Sequence, residues 1–152
     1  MLVLKKGSNS TVNEHIGLSR GGKNTKIHAT VDALGYPLYV KLTGGHIHDT
    51  VVALELLDNT SVKSSVIMGD KAYRGKDIRS RVESMNCTHC IPSQSNDKEQ
   101  WSVDWWQYKE RSNVECFFQK LKQFHRVATR YEKLAARFLG IVHLCCALIW
   151  LR

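Results

Sequence analysis

The spacing of apolar residues changes period several times along the chain. Lys26–Asp32 (Lys-Ile-His-Ala-Thr-Val-Asp) alternates and is rich in β-branched residues, the pattern of a half-buried strand. Leu34-Gly35-Tyr36-Pro37 supplies turn chemistry, and Leu38 to Leu42 alternates again, so the two runs predict a hairpin broken at Gly44 and Gly45. Thr50 to Leu57 reads as a helix with Thr50 as its N-cap. Ser65 to Gly69 is a short apolar run that ends at Asp70, which suits a buried parallel strand. Lys76 to Met85 reads as a helix, Thr88 to Ile91 as a strand, and Ser93 to Gln100 as a polar loop. Trp105 to Gln123 and Lys133 to Leu151 both carry a helical period. Residues 1–22 have no apolar period and end in Ser-Arg-Gly-Gly, so they read as a basic flexible arm. Residues 23–152 are then one folded unit. The element order predicts an α/β fold, a mixed sheet with helices packed on it.

The 152 residues are about one domain's worth, and no internal repeat suggests a second. Lys and Arg number 22 against 14 Asp and Glu, a net charge of +8. That excess points to a polyanion, nucleic acid before anionic membrane. The charge is uneven: +4 over residues 1–28, −2 over 29–104 and +5 over 105–137. Phe138 to Leu151 contains no Asp, Glu, Lys or Arg. It falls short of the roughly 20 residues a membrane span needs, so a core helix is expected and no membrane association. Met-Leu-Val-Leu-Lys-Lys does not have the order of a secretory signal. Five cysteines, two of them adjacent in an apolar stretch, fit reduced thiols better than a disulfide framework.

The most specific feature lies between residues 108 and 122. Tyr108, Arg111, Glu115 and Lys122 fall at roughly 0°, 300°, 340° and 320° around a helix, one narrow polar stripe. Val114, Phe117, Phe118, Leu121 and Phe124 fall at roughly 160–280° and form an apolar face beside it. A plain surface helix with an Arg111–Glu115 ion pair would show the same stripe. The second acidic position shifts the balance. Asp70 closes an apolar strand, and ligands of open α/β sheets sit beyond the carboxyl ends of strands. A carboxylate there can hold a metal ion or simply cap a turn.

At these residues the chain resembles the DDE transposases of bacterial insertion sequences, in the group named for the fifth insertion sequence. Tyr-x2-Arg-x3-Glu-x6-Lys, as Tyr108, Arg111, Glu115 and Lys122, matches their signature. Asp70-Lys-Ala-Tyr-Arg is similar to their second-aspartate motif, and Ser19 to Gly35 resembles the segment before it. Phe124-His-Arg-Val-Ala-Thr-Arg-Tyr-Glu-Lys-Leu-Ala resembles their C-terminal stretch.

The resemblance implies an RNase H-like fold and phosphodiester chemistry. Two Mg²⁺ (or Mn²⁺) ions would clamp the attacking and leaving oxygens, first for cleavage at element ends and then for strand transfer into target DNA. Asp70 and Glu115 match the second and third metal-binding catalytic acids. Tyr108, Arg111 and Lys122 would contact DNA, and so would Lys71, Arg74, Lys120, Arg126, Arg130 and Lys133. The expected setting is cytoplasmic, bacterial and nucleoid-associated, with a homo-oligomer as the active form. The family's first Asp lies on a first strand upstream of the segment matching Lys5-Lys6-Gly7, and no acid precedes Glu14 here. The expectation is therefore a partial catalytic domain without its first strand, inactive until an upstream transposase polypeptide supplies that Asp. The alternative is a non-catalytic DNA-binding remnant or a regulator of transposition. Asp49 is a candidate substitute acid or a turn cap, and Asp32 is expected to serve the hairpin turn.

Other candidates are weaker. Cys87-Thr-His-Cys90 has zinc-like spacing but no second pair. His46 and His48 share a strand face without a third ligand. His125 stands where the family usually has Arg. Trp101, Trp105 and Trp106 are either base-stacking groups or core.

Overall fold

The computed structural model describes residues 14–19, 22–97 and 100–152. Of the expected arm, residues 1–13, 20 and 21 lie outside the described residues. Residues 14–19 differ from the expectation. Gly17–Ser19 is a strand, β1, antiparallel to the start of β2 (Gly22–Val31). A three-residue strand is too short to show a period, so only its pairing reveals it. β2 pairs antiparallel with β3 (Pro37–Gly44) as the expected hairpin. Asp32 holds the turn: its Oδ1 accepts from Leu34 N and Tyr36 N at 2.9 and 2.8 Å. Gly35 there has φ of 82°, a left-handed conformation that glycine adopts without strain.

The period of two on these strands sorts side chains onto two faces. Ile27, Ala29, Val31, Val40 and Leu42 face a core built with Phe117, Leu121, Phe138 and Val142. These come from α4 (Ser112–Lys122) and α6 (Ala135–Trp150). The opposite face meets α1 (Asp49–Asp58) through Lys26–Asp49 and Lys41–Glu55, and the segment just after α1 through Thr30–Thr60. α1 begins one residue earlier than expected, and Thr50 is not its cap. Beyond α1 lies a second core of Ala53, Leu57, Ile78, Val82, Cys87 and Ile91. It is built by α1, α2 (Lys76–Ser84) and the residues flanking β5 (Thr88–Cys90), with Ile67 of β4 (Val66–Met68), the parallel partner of β5, packed against it.

The mixed sheet is thus divided. Three antiparallel strands form one sheet and two parallel strands another, with no strand joining β2 to β4 among the described residues. Local patterning specifies each strand but says nothing about the long-range pairing that would join them. The long helix expected over Trp105–Gln123 is also subdivided. α3 (Trp105–Tyr108) passes through a 3₁₀ turn (Lys109–Arg111) into α4, and helical dihedrals persist across the joints. Asp104 caps α3 by accepting from Trp106 N and Gln107 N. A short helix, α5 (His125–Ala128), follows, and α6 starts two residues later than expected.

His28 is buried on the α1 face, its Nε2 2.7 Å from Thr43 Oγ1. Burial lowers its pKa, an effect larger than the opposing pull of Asp49. The unfolded chain therefore binds a proton here that the folded chain resists, so stability falls as pH drops below the ordinary histidine value of 6.5. The urea midpoint is expected to decrease from pH 7.5 to pH 5.5, with a shallower decrease in His28→Gln.

Candidate active site and nucleic-acid interface

The stripe begins at Tyr108, the last residue of α3, and runs through the 3₁₀ turn into α4. Residues three apart eclipse in that turn, which sets the Arg111 guanidinium over the Tyr108 ring at 5.6 Å. Arg111 Nη2 also meets Glu115 Oε1 at 2.5 Å, one turn farther on. Tyr108 in turn packs edge-on against Trp105 at 5.6 Å. Tyr108, Arg111 and Glu115 are therefore one linked chain of side chains. Lys122 stands apart, at the end of α4. It borders a cleft with Thr25, Ile27 and Phe118, between α4 and β2. Lys120 is exposed on the same helix.

Asp70 follows β4 and caps the 3₁₀ turn Lys71–Tyr73, its Oδ1 accepting from Ala72 N at 2.8 Å. Asp49 opens α1 and pairs with Lys26 Nζ at 3.0 Å. Burial raises the Tyr73 phenol to about 12, and the charges of Asp49 and Asp70 push it the same way. Tyr73 is thus a permanent hydrogen-bond donor near two carboxylates.

Asp70 and Glu115 share no hydrogen bond or ion pair among the described residues. Asp70 lies in the field that also contains Asp49, which pairs with Lys26 midway along β2. Glu115 is two residues past Asn113, whose Nδ2 donates to Ala33 O, past the C-terminal end of β2, at 2.7 Å. No group of three His, Cys, Asp or Glu side chains able to hold a metal ion occurs among the described residues. That includes Cys87 and Cys90, both free and buried, and the exposed His46 and His48. The carboxylates of Asp70 and Glu115 are hard oxygen donors of the kind Mg²⁺ takes, but no contact among the described residues brings the two together.

The remaining basic residues divide into two groups. Lys71, Lys133 and Arg126 are exposed, although Arg126 Nη1 reaches Glu132 Oε1 at 3.3 Å. Arg74 donates to Asp97 at 3.2 Å and to Lys71 O at 3.1 Å. Arg130 is turned inward. Its guanidinium donates to Glu132 O, Glu14 O, Thr25 Oγ1 and Lys133 O, at 2.6–3.0 Å, and lies 5.1 Å over the Phe138 ring. It ties residue 14 and β2 to the approach to α6, where Glu14 Oε2 accepts from Ala135 N at 2.5 Å. Its lost bonds should destabilise Arg130→Ala by about 2 kcal/mol. Arg130→Lys keeps the charge but not the fork, so it should recover little of that stability in urea unfolding.

Trp105 and Trp106 are 62% and 78% exposed and available to stack. Trp101 is half-buried against the second core, with His89 tilted beside it at 5.2 Å and the Arg79 guanidinium over its ring at 5.0 Å. No helix among the described residues is long and apolar enough to cross a membrane. Thr50 and Lys76, which border a cleft with Arg74 and Trp101, carried no signal in spacing.

Two family profiles, both described as transposase DDE domains, match residues 11–102 and 67–152. No solved structure matches. The putative transposase for insertion sequence element IS6501 from Brucella ovis is 43% identical over 129 residues, which are 84% of this chain and 98% of that relative. The first profile alone spans more than half of the chain, and the relative is matched over nearly its full length. The chain therefore belongs to the DDE transposases.

Proposed function

We propose that this chain supplies the second and third acids, Asp70 and Glu115, of a transposase site that cleaves insertion-sequence ends and joins them to target DNA. The RNase H-like arrangement it needs would form when a strand carrying a third carboxylate bridges the three-stranded sheet and the β4–β5 pair. One observation carries this reading: the sheet is divided, with β2 and β4 in separate sheets and a hydrophobic core on each side of α1. An open strand edge is a template for another strand. Such an insertion would give the two acids a common neighbour.

A divalent ion held there would stabilise charge on the reacting phosphate oxygens. The chain's own residues do the rest. Arg111, poised over Tyr108, exchanges Glu115 for a DNA phosphate and frees the carboxylate. Lys120 and Lys122 extend the cationic track along α4, and Lys71 and Arg74 extend it beside Asp70. Arg126 and Lys133 are outlying backbone contacts. Arg130 acts indirectly by fixing the base of α6, and the active form is a homo-oligomer.

The test compares the chain alone with the chain plus an upstream polypeptide bearing the third acid, on an element-end duplex in Mg²⁺. Cleavage is expected only in the mixture. Cleavage by the chain alone would overturn the need for a third acid from outside. A non-catalytic regulator is favoured by one observation, the occupation of Glu115 by Arg111. That reading gains if the mixture binds DNA and cleaves nothing.

A further inference from the structure

We propose that the cleft beside Asp70 is a nucleotide subsite, taking one phosphodiester together with its sugar and base from a DNA strand. The proposal rests on the reading of Asp70 as a strand-cleavage acid and adds a site to it. The cleft, about 510 Å³, is bordered by Thr50, Ala72, Arg74, Lys76, Asp97 and Trp101. That volume is within the range of small-ligand sites, roughly 300–1,000 Å³, and suits a single nucleotide. Ala72 places the cleft next to Asp70, whose carboxylate accepts the Ala72 N–H.

The lining combines cations, a neutral donor and an aromatic ring, the groups that a phosphate, sugar and base can use, with the Asp97 carboxylate engaged by Arg74. Lys76 is exposed; among the described residues it has no ion-pair partner and Arg74 Nη2 has no hydrogen bond, while Arg74 Nε and Nη1 are held by Asp97 and Lys71 O. The Thr50 hydroxyl adds a neutral donor. The Trp101 indole completes the lining: its backbone N–H donates to Ser93 Oγ at 2.9 Å, and its ring is flanked by His89 at 5.2 Å and by the Arg79 guanidinium at 5.0 Å. A fixed aromatic wall favours a planar base or the apolar face of a sugar, which a bare phosphate lacks. The charge map agrees. Residues 29–104 carry a net −2, yet four of their eight cations fall within residues 71–79, alongside one acid, Asp77. An acidic segment thus becomes locally cationic where it borders the cleft.

The experiment uses the full chain and an eight-residue single-stranded oligodeoxythymidylate. Lys76→Glu should weaken binding about tenfold and lower the slope of log affinity against log salt by about 0.7, the loss of one phosphate contact. Lys63→Glu, the same charge change at an exposed lysine elsewhere, should alter affinity less than about twofold. In a second arm, thymidine 5′-monophosphate should shift the Trp101 indole NMR signal where inorganic phosphate does not. Equal effects of Lys76→Glu and Lys63→Glu would overturn the subsite. Equal shifts with phosphate and nucleotide would overturn its assignment to a nucleotide and leave a bare anion site. Asp70→Asn should retain oligonucleotide binding. If reconstituted cleavage fails while the Lys76 effect remains, the catalytic reading falls and the subsite stands.

Discussion

Asp70→Asn and Glu115→Gln should each abolish cleavage by the completed complex, by a factor on the order of 10³ or more, with DNA affinity unchanged or slightly raised. Both substitutions keep shape and hydrogen-bonding capacity while removing a negative charge. In Asp70→Asn the new side-chain amide retains an oxygen able to accept from Ala72 N, so the 3₁₀ turn after β4 should persist. At Glu115 the change neutralises the partner of Arg111 and weakens its hold on the guanidinium, which a phosphate can then draw away more readily. Loss of cleavage with binding intact is what metal-binding acids predict. If both residues were only a turn cap and a surface ion pair, cleavage would survive with a stability change of about 1 kcal/mol. Gel-based cleavage, duplex binding and urea unfolding of the same variants separate the two outcomes.

Phe117→Ala should cost about 3–5 kcal/mol, enough to unfold much of a marginally stable chain. Phe117 is fully buried between α4, α6 and the β2–β3 sheet, in contact with Phe118 at 5.2 Å between ring centroids. Its loss leaves a cavity at the point where α4, which bears Glu115, meets the sheet. Phe117→Leu, which fills most of that volume, should cost less than about half as much. Equilibrium unfolding followed by circular dichroism reads both. An equal, small effect of the two variants would mean that α4 is not anchored through this residue.

The parts of the fold legible in the sequence were those whose side chains report a face. The β2–β3 hairpin showed its period of two, and its odd and even positions face different neighbours. The aromatic face of α4 was legible because Phe117 and Leu121 repeat at helical spacing and are buried together. β1 and α5 are too short for any period, so their existence depends on pairing and packing. The division into two sheets was not legible either, because strand pairing between β2 and β4 is a question of distant contacts rather than of local pattern. The basic residues show the same limit. Charge counting treats Arg126 and Arg130 alike, yet one guanidinium faces solvent and the other is bound on every side by carbonyls and a hydroxyl. The link from Tyr108 through Arg111 to Glu115 was legible as spacing, and the 3₁₀ turn that tightens it was not.

Whether two carboxylates so distant in sequence act on one ion is most directly read with Mn²⁺ as a paramagnetic probe. Added to the completed complex, it should broaden the amide signals of Ala72 and Cys116 together, at the same metal concentration. Broadening of Ala72 with Cys116 unaffected, in a complex that contains the third acid, would contradict the account.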